Sequence, residues 1–266
     1  MTLTTSPNRQ AAGMLNGTAR ISSGLHGHTI GVGRFRSIVS EFLGTFVLVL
    51  TIIGTAIAAQ LSEPIAGTPY GSLAVPLAGG FALVVAVASL GHLSGAHLNP
   101  AVTIGLALNR RFPGRMVPAY VLAQLVGAIT AALSAWVLFG SKARSVASLG
   151  ATVPAPGVGL GRVFAAEGIV TFVLVLVVLS VATEHRVPQG LAAIAIGLAL
   201  AAAIFISGPI SGAGVNPARA LGPMIVAGKF TDWWVYVVAP LAGGAIATTV
   251  FHLFLYDPAP QGLSES

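Results

Sequence analysis

Cysteine is absent from the chain, which excludes disulfide bridges, thiolate metal ligands and cysteine nucleophiles. Charge is nearly absent as well. Asp, Glu, Lys and Arg together make up 8% of the residues, where a soluble domain carries about a quarter. Acid is the scarcer sign, with 7 carboxylates against 13 Lys and Arg. The net charge of +6 invites a nucleic-acid reading. The basic residues form no patch, however; they lie between apolar runs, and no nucleic-acid partner is expected. What the chain has in abundance is apolar surface, 55% of residues and a mean hydropathy of +0.89. Such a chain belongs in a lipid bilayer. No cofactor and no metal site are expected.

Six apolar runs have about the 20 residues needed to cross hydrocarbon. They lie near Ser37–Ala59, Ser72–Leu90, Val117–Phe139, Val163–Ala182, Gly190–Ile206 and Trp233–Leu255. Two further runs, Asn99–Asn109 and Asn216–Ala227, are too short to span and would reach about 16 Å, half a bilayer. The expectation is an all-α integral membrane protein of six transmembrane helices and two re-entrant half-helices.

Residues 1–36 are rich in Gly, Ser and Thr and hold no acid, so a disordered cytoplasmic tail is expected there. His26 and His28 within it are solvated bystanders on this reading, and Asn16-Gly17-Thr18 is a chance sequon. A channel domain over 37–255 and a short cytoplasmic tail over 256–266 would follow. With the N-terminus inside, Arg9, Arg20, Arg34, Arg36, Arg110, Arg111, Arg115 and Arg186 face the cytoplasm. Lys142, Arg144, Arg162 and Lys229 face out, and Arg219 sits at membrane depth. The inside majority places both termini in the cytoplasm. Trp233 and Trp234 would mark the outer interface and Tyr256 the inner one.

The chain also repeats itself. Glu41-Phe42-Leu43-Gly44-Thr45-Phe46-Val47-Leu48 matches Glu167-Gly168-Ile169-Val170-Thr171-Phe172-Val173-Leu174, while Tyr120 and Gly127 match Tyr236 and Gly243. The repeats cover about 37–139 and 163–255. Each holds three spans, an odd number, so the second must enter the membrane from the opposite face. Each half-helix opens on the same tripeptide, Asn99-Pro100-Ala101 and Asn216-Pro217-Ala218. Asn is a preferred N-cap and Pro suits the first helical position, where a missing N–H costs nothing. Two helix N-termini therefore meet at the membrane midplane.

The paired motifs, in the contexts Ser94-Gly95-Ala96-His97-Leu98-Asn99-Pro100-Ala101-Val102-Thr103 and Asn216-Pro217-Ala218-Arg219-Ala220-Leu221-Gly222-Pro223, resemble the aquaporin or major intrinsic protein family over about residues 37–255. The resemblance implies the aquaporin fold and a passive channel for water or small neutral solutes, not an enzyme. It also implies a homotetramer in a cell membrane, with one pore per subunit.

Asn99 and Asn216 are expected to cap their half-helices and turn the remaining amide N–H toward passing solute. The approaches Gly95-Ala96-His97 and Gly212-Ala213-Gly214 should expose backbone carbonyls, since irregular backbone at this depth must line a cavity or be buried in protein. Arg219 is a membrane-depth cation and so a functional candidate; the family comparison puts it at the narrowest point near the outer mouth. Glu41 and Glu167 admit a proton relay or support of the re-entrant loops by accepting their N–H bonds. Their symmetric placement favours support. His97 is one of their partners or a packed polar residue. His92, Ser94 and His97 hint at a hydrolase, but no third orienting group is evident.

Family spacing places the constriction on Gly79, Ile204, Ala213 and Arg219. Water-selective members usually place an aromatic and a histidine at the first two. Typical glycerol facilitators use two aromatics and an Asp after the motif's Arg, where this chain has Ala220. The small residues look more like the nodulin-like intrinsic proteins of plants and their bacterial relatives. That branch implies glycerol, urea or undissociated metalloid hydroxides such as arsenous, boric or silicic acid. A strictly water-selective pore, a coupled secondary transporter and a structural junction protein are the alternatives.

Overall fold

The computed structural model describes residues 21–22, 29–30, 33–61, 71–182 and 187–256. Most of the expected N-terminal tail and nearly all of the C-terminal tail lie outside these residues, as do His26, His28 and the sequon. Within the first tail, β1 (Ile21–Ser22) pairs antiparallel with β2 (Thr29–Ile30).

Nine α-helices are described: α1 (Arg34–Gln60), α2 (Gly71–Ser94), α3 (Pro100–Leu108), α4 (Val117–Phe139), α5 (Ser141–Ser145), α6 (Leu160–Ala182), α7 (Gln189–Ser211), α8 (Pro217–Ala227) and α9 (Val235–Val250). A 3-10 turn at Ser148–Gly150 follows α5, and a π turn at Phe251–Leu255 extends α9. Six helical segments are long and apolar enough to cross a membrane; α3 and α8 are the two half-length ones, and α5 is a single turn and a half. The second and fifth spans run further than their apolar runs, to Ser94 and Ser211. Hydropathy falls over Gly91-His92-Leu93-Ser94 and Ser207-Gly208-Pro209, but the backbone stays hydrogen-bonded, because lipid offers no water to replace a broken ladder. Gly212 (φ 76) then ends α7, and Gly228 (φ 72) ends α8, in the left-handed conformation that glycine adopts readily.

The repeats interlock rather than sit side by side. Half-helix α3 of the first packs on α9 and α6 of the second, and half-helix α8 of the second packs on α4 of the first. The remaining crossings are close because glycines stand at them. A Cβ on Gly80 would lie 2.9 Å from the Gly197 carbonyl oxygen, and one on Gly197 would lie 2.6 Å from that of Gly80, where α2 crosses α7. Gly127 meets the Phe42 carbonyl between α4 and α1, and Gly243 meets that of Gly168 between α9 and α6, the same contact in each repeat.

Polarity is arranged inside out. Phe81, Val85, Leu122, Ile194 and Leu198 stand exposed on the outer faces, while Glu41, Glu167, Gln124 and Arg219 are buried within. Gly197→Val should push α2 from α7 and lower stability by about 1–3 kcal/mol, the usual cost of overpacking. Thermal unfolding in detergent measures this, and an unchanged midpoint would show that the crossing tolerates a wider separation.

Candidate functional site

The loops preceding α3 and α8 are not helical, and Ala96–Leu98 and Ala213–Val215 within them are buried, so their N–H groups need partners that water cannot supply. A carboxylate provides them in each repeat. Glu41 on α1 accepts from the Ser94 hydroxyl (2.8 Å) and the His97 N–H (2.9 Å) at Oε1. Its Oε2 accepts from the Leu98 N–H and from Gln124 Nε2, both at 2.7 Å. Glu167 on α6 accepts from the Ser211 hydroxyl (2.5 Å) and from the N–H groups of Gly214 (2.8 Å) and Val215 (2.6 Å). Tyr120 and Tyr236 donate to the carbonyls of Ser94 and Ser211 at 2.9 and 2.7 Å. The loops bend through left-handed residues to present these N–H groups: Gly95 (φ 89), Ala96 (45) and Leu98 (53), then Gly212 (76), Ala213 (55) and Val215 (57). That conformation costs a non-glycine residue about 1–2 kcal/mol, which the charge-assisted bonds offset.

The two loops then grip each other. Asn99 Oδ1 caps α3 by accepting from the Ala101 N–H (2.8 Å). Asn216 Oδ1 accepts from those of Ala218 (2.9 Å) and Arg219 (3.3 Å). Each amide also reaches across: Asn99 Nδ2 donates to the Val215 carbonyl (3.1 Å) and Asn216 Nδ2 to that of Leu98 (2.7 Å). One hydrogen of each amide is thus spent between the loops, leaving one for any solute. Pro100, Ala101, Pro217 and Ala218 are buried in the first turns. Among the described residues no protein donor reaches the carbonyls of Gly95, Ala96, His97, Gly212 or Ala213, whereas that of Gly214 accepts from the Asn216 N–H at 2.6 Å.

His97 is a packed residue. Its Nδ1 lies 3.2 Å from Thr103 Oγ1, and its ring sits 4.7 Å from Phe112 and 5.1 Å from Tyr120 between centroids. The Ser94 hydroxyl is committed on both sides, donating to Glu41 at 2.8 Å and accepting from the Ala96 N–H at 3.0 Å.

Of the four positions expected to form the constriction, Gly79 and Ile204 face each other so closely that a Cβ on Gly79 would lie 2.6 Å from Ile204 Cδ1. The Ile204 side chain fills the room that glycine leaves. Ile204 and Ala213 belong to one buried apolar cluster. Arg219 is 4% exposed; its Nη1 donates to the Gly150 carbonyl (3.1 Å), and its buried Nε has no partner among the described residues.

Sequence reasoning missed Gln124 and Thr103, although a lone amide inside an apolar span was a signal. Gln124 Nε2 bridges Glu41 to Thr103 Oγ1, 2.9 Å away. Gly150 gave no signal at all, because it acts through its backbone. Four donors on Glu41 against three on Glu167 set an order of damage. Glu41→Ala should destabilise the fold more than Glu167→Ala, at about 1–3 kcal/mol per stranded donor. Denaturant unfolding of the two variants checks it, and a variant of normal stability without flux would instead place its carboxylate in conduction.

The comparisons with known proteins agree with this architecture. The family model described as Major intrinsic protein matches residues 29–251. Aquaporin NIP6-1 of Arabidopsis thaliana is 40% identical over 233 residues, 86% of this chain and 73% of that protein. Aquaporin AqpM of Methanothermobacter thermautotrophicus is 38% identical over 234 residues, 80% of this chain and 94% of its own. Among solved structures, the aquaglyceroporin from Plasmodium falciparum superposes with a TM-score of 0.74 at 28% identity, covering 84% of this chain and 97% of that one. The chain belongs to the major intrinsic protein family and is a transmembrane channel for water and small neutral solutes, not an enzyme.

Proposed function

We propose that the channel passes glycerol, urea and undissociated metalloid hydroxides as well as water, and excludes protons and ions. The observation that carries this reading is the lining of the constriction. Gly79, Ile204 and Ala213, which family spacing groups with Arg219, carry between them one branched aliphatic side chain, one methyl and no aromatic. A solute with hydroxyls on one side and a less polar face on the other suits such a wall. Arg219 Nη2 and the spare amide hydrogens of Asn99 and Asn216 act as donors, and the free loop carbonyls act as acceptors. The N-termini of α3 and α8 each bring about half a positive charge to the midplane and oppose cations there, while Arg219 opposes them at the constriction. The name aquaglyceroporin on the Plasmodium falciparum structure and the likeness to nodulin-type aquaporins support the solute class. The working form on this reading is a homotetramer in the plasma membrane with both termini in the cytoplasm.

One observation favours a second reading, a water-only pore: Ile204 already occupies the space beside Gly79. Stopped-flow light scattering on proteoliposomes, comparing water, glycerol, urea and arsenous acid, separates the two. Fast water flux with no solute flux above empty liposomes leaves the water channel standing.

Ile204→Ala should raise glycerol permeability at least about threefold, a barrier change under 1 kcal/mol, with a smaller effect on water. An equal effect on both would place Ile204 outside the narrow path. In a chain with no cysteine, Ala213→Cys should create mercurial block. Labelled protein with unaffected flux removes Ala213 from the constriction.

A further inference from the structure

We infer that Lys229 is a positioning residue for Arg219, acting through a strained outer loop that α8 grips at both of its ends. This rests on the reading of Arg219 as a constriction residue.

The loop is Ser148-Leu149-Gly150, and all three residues are left-handed, at φ 49, 53 and 65. Two of them are not glycine, so the run persists only where its surroundings over-determine it. Two backbone bonds hold the turn, from the Gly150 N–H to the Ala147 carbonyl (2.9 Å) and from the Ala151 N–H to the Ser148 carbonyl (3.1 Å), and three further contacts fix it. Leu149 is fully buried against the apolar cluster formed by Val49, Ile53, Ile57 and the alanines of α4. The Gly150 carbonyl accepts from Arg219 Nη1 at 3.1 Å, near the start of α8. The Ser148 hydroxyl accepts from Lys229 Nζ at 2.7 Å, just past the end of α8. Arg219 and Lys229 stand ten positions apart, about 15 Å along a helix, and both reach the same triplet from opposite ends. Lys229 is itself fixed at the helix end, its N–H donating to the Met224 carbonyl at 3.1 Å beside the left-handed Gly228.

The consequence concerns Arg219. Its Nε has no partner, so within the described residues one hydrogen bond from the guanidinium to protein, that to Gly150, sets its orientation. Leu149 holds the centre of the loop, but the direction of the Gly150 carbonyl depends on the backbone rotation of the whole triplet. Lys229 pins the far side of that rotation. Without the tether the triplet can relax toward ordinary backbone, the carbonyl turns, and the guanidinium gains freedom to enter the solute path. A mobile side chain in a constriction obstructs a large solute before a small one.

Lys229→Met keeps the stem and removes the ammonium. In proteoliposomes of the full chain, the ratio of glycerol to water permeability should fall at least threefold. Ser148→Ala should reproduce the fall, the double variant should be no worse than either alone, and Lys229→Arg should restore the ratio. Unfolding midpoints should stay near wild type, since Lys229 is exposed. A lowered midpoint with an unchanged ratio would make the tether merely structural and overturn the inference. Arg219→Val is the companion measurement. If it shifts the ratio and Lys229→Met does not, the positioning role fails while the constriction reading stands. If Arg219→Val leaves the ratio unmoved, the constriction reading itself fails.

Discussion

Everything at the centre of this molecule depends on a carboxylate standing where water cannot. A loop that leaves the helical ladder at membrane depth strands several N–H groups, each costing some kcal/mol if left alone. Hydrocarbon offers no acceptor. Glu41 and Glu167 answer that need from the first helix of each repeat, and each collects consecutive loop N–H groups on its two oxygens. With the donors gathered on one side, the carbonyls of Gly95, Ala96, His97, Gly212 and Ala213 are left without protein partners among the described residues. Those uncommitted acceptors are therefore the by-product of holding the loops. The site and the fold are one arrangement, because the groups that could meet solute are those that the framework does not use.

The Asn side chains show the same economy of donors. Their Oδ1 atoms cap α3 and α8, and one hydrogen of each Nδ2 ties the half-helix of one repeat to the loop of the other. The cross-tie fixes the distance between two helix N-termini whose partial charges repel. It also explains why the half-helices pack on the opposite repeat: α3 against α9 and α8 against α4. Neither repeat can close its own core.

How much of this was legible from the chain follows from where the information is stored. Side-chain patterns that occur twice were readable: the apolar runs, the Asn-Pro caps and the two glutamates at matching places. The half-helix bounds were readable within a residue because Pro100 and Pro217 mark their starts and Gly228 marks one end. The far ends of α2 and α7 were not. Hydrogen bonding inside protein sustains a helix past the point where hydropathy stops. Contacts made by backbone were equally silent. The Gly150 carbonyl that holds Arg219 belongs to an irregular segment with no periodicity, and the close approach of Ile204 to Gly79 depends on a helix crossing that composition does not describe.

The repeats are alike in framework and unlike in filling. Counted from the two Asn residues, His97 and Thr103 of the first correspond to Gly214 and Ala220 of the second. Counted from the two tyrosines, Gln124 corresponds to Pro240. The first repeat packs amide, hydroxyl and imidazole behind its loop, so Glu41 gains a fourth donor and the ring of His97 is wedged among Phe112, Tyr120 and Thr103. Among the described residues the second has only one such side chain behind its loop, Thr171, whose hydroxyl donates to the Val215 carbonyl at 3.3 Å. A Cβ on Gly214 would lie 2.9 Å from Glu167 Oε2, so the loop must run against the carboxylate with nothing between them. In place of those polar side chains it carries Arg219, where the first repeat has Val102. A buried cation cannot be held by an apolar wall, and this one borrows its acceptor from the loop at Gly150. Duplication built a symmetric frame; the difference between its two ends comes from which repeat completes its polar contacts internally and which must reach outside itself.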